Sequence, residues 1–128
     1  MKQYLGALKH ILEKGVEKKD RTGTGTKAVF GMQMRFKMGD GFPALTTKKL
    51  AFNSMKAELL WFIKGSSDVK ELQKMGCRIW DANAEAPYWK PKAEFEGDLG
   101  RIYGVQWRRW KNPEGEEIDQ LAEAIRQI

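Results

Sequence analysis

Asp20-Arg21-Thr22-Gly23-Thr24-Gly25-Thr26 leads almost directly into a long alternating run over residues 28–38. In that run Ala28, Phe30, Met32, Met34, Phe36 and Met38 occupy the even positions, and Gly31, Gln33, Arg35 and Lys37 the odd ones. A period of two predicts a strand with one buried face. Gly39-Asp40-Gly41 then supplies turn chemistry to end it. The polar stretch before the strand, Glu17 to Thr26, carries two glycines and three threonines and reads as a loop or turn.

Helical spacing flanks this strand on both sides. Leu5, Leu8, Ile11 and Leu12 recur at three and four residues over 2–15, with Gly15 as a stop. Phe52, Met55, Leu59, Phe62 and Ile63 do the same over 51–64, with Gly65 suited to the C-terminal cap. Ser67 or Asp68 suits the N-cap of a short helix bearing Val69, Leu72 and Met75, closed by Gly76. Cys77-Arg78-Ile79-Trp80 reads as a short extended piece, and 84–98, with Pro87 and Pro91, as a long irregular stretch. Tyr103, Trp107 and Trp110 lie in a segment whose periodicity decides nothing. Asn112-Pro113-Glu114-Gly115 is a turn, and Ile118, Leu121, Ala122, Ile125 and Ile128 outline a last helix that meets no stop signal.

The composition sets the outer bounds. With 128 residues and 41% hydrophobic content, the chain suits one domain with a real core. A net charge of +6 favours anionic partners: nucleotides, phosphorylated cofactors, nucleic acid or anionic lipid. The basic residues are scattered and form no arm, which argues against nucleic acid as the main partner. A single cysteine excludes an intrachain disulfide and suits a reducing compartment. No apolar run is long enough to span a membrane, and no signal peptide is visible, so a cytoplasmic location is expected.

Few residues carry chemistry on their own. Arg21 beside the Thr/Gly loop combines a bidentate cation, hydroxyl donors and glycines that permit close backbone approach. That describes a phosphate clamp, and it equally describes a surface turn. Glu58 sits among Met55, Leu59 and Phe62, either as a solvated edge residue or as a screened acid able to move protons. Cys77 lacks the basic neighbour that a nucleophilic thiol needs and reads as a small core residue. His10 belongs to the polar side of the first helix. One Cys and one His support no metal site. Trp80-Asp81, Tyr103, Trp107 and Trp110 could stack on a flat heterocycle or fill a core.

In order along the chain, these segments resemble thymidylate synthase. The resemblance rests on Asp20 to Thr26, Asp40-Gly41-Phe42-Pro43, Thr46-Thr47-Lys48-Lys49, and Glu58-Leu59-Leu60-Trp61-Phe62 with Gly65. It continues through Ile79-Trp80-Asp81, Asp98-Leu99-Gly100 and Tyr103-Gly104-Val105-Gln106-Trp107-Arg108. Their order and spacing are those of the family, apart from extra residues around 87–96. It implies an α/β fold, α+β in some schemes, with a mixed β-sheet covered by helices. It also implies that 1–128 is a single partial domain, the N-terminal half of that fold.

The resemblance further implies reductive methylation of dUMP to dTMP by 5,10-methylenetetrahydrofolate. Arg21 would bind the nucleotide phosphate, and Lys48 would lie near the folate glutamate tail. Glu58 would organise water and move protons, and Tyr103 would help remove the pyrimidine proton. Ile79 and Trp80 would pack against the folate. The family often has Arg at the Lys49 position, His at Ala51 and Trp at Asn83, so the folate-tail surface and one wall of the site depart from it. The Pro-Cys-His segment that carries the family's nucleophile is expected beyond residue 128, as are the arginines a dimer partner donates. Cys77 stands just before Ile-Trp-Asp, at a structural position. Related pyrimidine hydroxymethylases, and a non-catalytic half-domain that binds nucleotide or RNA, are the other readings. A homodimer is expected for the complete enzyme. For this half, bared strand edges and apolar faces are expected, with self-association or marginal stability.

Overall fold

A computed structural model describes residues 1–21 and 23–128; Thr22, part of the expected phosphate loop, lies outside the described residues. The chain divides into two compact units, Met1–Leu50 and Ala51–Ile128.

In the first unit, α1 spans Lys2–Lys14, as its apolar spacing predicts, and stops at Gly15. The Gly15 N–H donates to the Ile11 carbonyl at 2.8 Å. Two short strands follow, β1 (Val16–Lys18) and β2 (Thr26–Ala28), paired antiparallel with Glu17 opposite Lys27. Gly23, Thr24 and Gly25 of the Thr/Gly stretch lie between the two strands, outside both. Gly23 and Gly25 adopt φ of 77° and 78°, the left-handed region that glycine enters without strain.

The strand expected over 28–38 is a correction. Only Ala28 of that run is in a strand, 31–37 has no regular structure, and Met38–Asp40 is a turn of 3₁₀ helix. An alternating pattern specifies a face, but a strand also needs a partner for its N–H and C=O groups. Among the described residues no strand pairs with 29–38, and Phe30, Met32, Met34 and Phe36 are exposed. The Gln3 side chain donates to the Arg35 carbonyl at 3.1 Å and ties the run to α1. Leu5, Leu8 and Leu12 are likewise exposed, so the bared apolar faces expected from the sequence are present.

The second unit holds the core. Helix α2 (Phe52–Lys64) ends at Gly65, which adopts φ 75° and caps the Phe62 carbonyl. Helix α3 (Val69–Lys74) begins at Asp68, whose carboxylate accepts from the Lys70 N–H at 2.8 Å; of the two candidate caps, Asp68 is the one used. The segment 77–80, expected to be extended, instead turns into the short helix α4 (Asp81–Ala84). Helix α5 (Tyr103–Arg108) occupies the stretch the periodicity left undecided. A hairpin of β3 (Trp110–Lys111) and β4 (Glu117–Ile118) brackets the Asn-Pro-Glu-Gly turn. The last helix, α6, is shorter than expected: it spans Gln120–Arg126, and Ile118 belongs to the hairpin.

Trp61, Leu72 and Cys77 are completely buried, with Ala57, Phe62, Val69, Ala84 and Leu99 around them. The buried face of α2 is therefore Ala57, Trp61 and Phe62, whereas Phe52, Leu59 and Ile63 are exposed. Helix α5 crosses close to the end of α2. A Cβ on Gly104 would come within 2.7 Å of the Phe62 carbonyl oxygen, so only glycine permits the approach. Overall the described residues combine helices with two small antiparallel sheets, consistent with the α/β class. The mixed sheet implied by the resemblance is not formed among them.

Asp98 closes the irregular stretch. Its carboxylate accepts the Gly100 N–H at 2.9 Å and the Glu94 N–H at 3.2 Å, and the Trp89 indole donates to its carbonyl at 2.8 Å. Burial pushes the Asp98 carboxyl up, but the Ser67 hydroxyl and the backbone N–H groups of Gly100, Glu94 and Leu99 outweigh it and hold it below its ordinary value. A carboxyl held down in the fold contributes stability above its unfolded value, and that contribution is lost as pH falls through the lowered one. The second unit should therefore lose melting temperature on acidification below about pH 4. Asp98→Asn should cost about 1–3 kcal/mol at pH 7 and flatten that dependence, read by thermal melts from pH 7 to pH 3.

Candidate active site

The site builds on three elements of the second unit. Helix α2 presents Glu58 one turn before Phe62, the turn ahead of α4 presents Ile79 and Trp80, and the start of α5 presents Tyr103. The Trp80 indole Nε1–H donates to Glu58 Oε1 at 2.7 Å, a charge-assisted bond across 22 positions of sequence. Glu58 and Trp80 are both half-buried. Binding one carboxylate oxygen restricts the plane in which the other can lie.

Phe62 is the hub of an aromatic wall beside this carboxylate. Its ring meets Trp80 at 6.2 Å, Tyr103 at 5.4 Å and Trp107 at 5.6 Å, all edge-to-face. Trp80 and Tyr103 meet at 6.2 Å. Edge-to-face pairs hold rings more firmly than area burial alone. The wall is open to solvent: Ile79 is 53% and Tyr103 59% exposed. An apolar face of this kind, with one fixed carboxylate at its side, suits a flat heterocycle that exchanges protons.

Of the residues singled out in the sequence, Glu58, Trp80 and Tyr103 thus come together, and Ile79 flanks them on the same turn as Trp80. Arg21 and Lys48 belong to the first unit, and both are exposed there. Beside the Thr/Gly loop lies a concavity of about 710 Å³ lined by Lys18, Lys19, Asp20, Gly23, Thr24 and Lys27, among others. Asp20 braces that loop by accepting the Gly25 N–H at 3.3 Å. Cys77 is a core residue, as the sequence suggested, and His10 is exposed on α1. No group of three or more His, Cys, Asp or Glu that could hold a metal ion occurs among the described residues.

Sequence reasoning missed two features. Phe62 was legible only as part of an apolar helix face, and nothing in its spacing marks it as the centre of the wall. Asp81 was read only as a motif residue, yet it is bound by Gln73 and Arg78. Contacts of this kind join elements whose packing no local pattern encodes.

The helices and small sheets define a mixed α/β protein with an aromatic, carboxylate-bearing face. The sequence model of the family described as thymidylate synthase matches residues 2–128, and the chain belongs to that family. The family is one of methyltransferases that use methylenetetrahydrofolate with dUMP as substrate. No helix among the described residues is long and apolar enough to cross a membrane.

Proposed function

We propose that these residues are the N-terminal half of a cytoplasmic, homodimeric thymidylate synthase, which methylates dUMP reductively with 5,10-methylenetetrahydrofolate. The observation that carries this reading is the Trp80–Glu58 bond at the edge of the aromatic wall. The family match crosses both compact units, which supports treating 1–128 as one partial domain. The exposed apolar side chains of α1 and of the run after β2 support burial against further protein in the dimer.

In this reading each residue has a physical task. Arg21 offers its planar guanidinium to the nucleotide phosphate, and the glycines of its loop allow close approach. Ile79 and Trp80 form the apolar floor for the folate ring system, and Lys48 attracts the anionic glutamate tail. The bound folate supplies the one-carbon unit and the hydride. Glu58, oriented by Trp80 and partly screened from bulk water, moves protons and orders water at the pyrimidine and folate. The Tyr103 hydroxyl assists removal of the pyrimidine proton.

The test is completion. The chain, joined in frame to the Pro-Cys-His-bearing half of a family member, should convert dUMP and methylenetetrahydrofolate to dTMP, with the product identified by chromatography. A folded chimera that yields a hydroxymethyl nucleotide, or no product, would overturn the reading.

A further inference from the structure

In the turn that carries Ile79 and Trp80, the Trp80 ring packs against the core, whereas Ile79 is more than half exposed and Arg78 is exposed as well. Asp81 adds a polar tie to that packing. Its Oδ1 accepts from the Gln73 Nε2–H of α3 at 2.9 Å, and its Oδ2 accepts from the Arg78 Nε–H at 2.7 Å. Its own N–H donates to the Arg78 carbonyl at 3.2 Å. The two oxygens of one carboxylate thus bind both the helix before the turn and the turn itself. The Asp81 side chain is only 24% exposed and its bond to Gln73 is partly buried, whereas Arg78 is 76% exposed and its bond is open to solvent screening, so Gln73 is the firmer of the two holds. The next residue back along the chain is Trp80, and its indole holds Glu58.

We propose that Asp81, gripped by Gln73 and Arg78, is a positioning residue that fixes the turn from which Trp80 orients Glu58. It touches no reacting atom and acts through Trp80. Its importance for turnover rests on the proposed function of Glu58, but the positioning itself does not. The Gln73 contact comes from α3, an element with no other part in the site. The proposal therefore extends the site by one helix.

Indole hydrogen exchange, followed by nitrogen-15 NMR on the 128-residue chain, tests it. Trp80→Phe identifies the Trp80 indole signal. The Trp61 indole, bonded to the Asp68 carbonyl at 3.1 Å, and the Trp89 indole serve as internal references. Asp81→Ala should accelerate Trp80 indole exchange on the order of tenfold, the loss of one hydrogen bond's worth of restraint, and leave both references unchanged. Gln73→Leu, a milder change at a half-buried position, should give a smaller acceleration in the wild-type background and none in the Asp81→Ala background, because both act through one carboxylate. Asp81→Asn, whose amide oxygen still accepts, should retain part of the protection. An unchanged Trp80 indole, equal acceleration of all three indoles, or additive effects of Gln73→Leu and Asp81→Ala would each overturn the proposal. If the Trp80 signal responds as expected while the completed chain makes no dTMP, the proposed function fails and the positioning role stands.

Discussion

Mixed with methylenetetrahydrofolate and dUMP tritiated at C5, the 128 residues by themselves should release tritium at least about a thousandfold more slowly than a complete enzyme of the family. Covalent attack on the pyrimidine needs a thiolate that can reach the ring. The sequence holds a single cysteine, and Cys77 is completely buried in the core with Trp61 and Leu72. Its N–H is engaged by the Leu72 carbonyl at 3.2 Å, which fixes the backbone that would have to move to expose it. In the proposed reading Glu58 and Tyr103 handle protons and Trp80 orients Glu58, and none of the three is a thiol that could attack the ring. Tritium release near that of a complete enzyme would contradict this account. Cys77→Ser should leave whatever residual rate is found unchanged.

Trp61→Ala should remove most of the stability of the second unit. Trp61 is 0% exposed, and its indole N–H donates to the Asp68 carbonyl at 3.1 Å. Its ring meets Phe62 at 5.5 Å and Trp80 at 6.4 Å. Truncating a buried Trp costs about 3–5 kcal/mol through lost transfer energy and the cavity left behind. A whole domain is stable by only about 5–15 kcal/mol. The aromatic wall is built on the neighbouring residue, so the loss should reach the site as well. Urea melts followed by circular dichroism should show the transition of the second unit shifted to much lower denaturant or abolished. Leu60→Ala, one residue away but exposed, should shift it by about 0.5 kcal/mol at most. Equal shifts for the two variants would contradict the assignment of the core.

The legible parts of the fold were those that local chemistry decides. Gly65 stops α2 in the left-handed region that favours glycine, Gly15 stops α1 where a Cβ would meet the Ile11 carbonyl oxygen at 2.3 Å, and Asp68 caps α3 through its own side chain. The run over 28–38 was misread because alternation reports which face is apolar, whereas a strand forms only when another chain segment meets its hydrogen-bonding groups. Helix α5 was not legible because its decisive residue, Gly104, is there for a close approach to Phe62 and lowers local helix propensity. At the site, the residue types of Glu58, Trp80 and Tyr103 were legible through the ordered motifs. The bond between Glu58 and Trp80, the central place of Phe62 and the grip on Asp81 depend on packing between elements, and only the folded arrangement reveals them.

The central claim is that Glu58, held by Trp80 beside the aromatic wall, is the proton-handling carboxylate of a dUMP methylase. The most direct measurement is the rate of dTMP formation by the completed chain and by its Glu58→Gln variant, alongside thermal melts of both. The account predicts a rate lower by about 10²–10⁴ with little change in melting, because the amide keeps the shape and the bond from Trp80 but cannot carry the proton. An unchanged rate in the folded variant would contradict it.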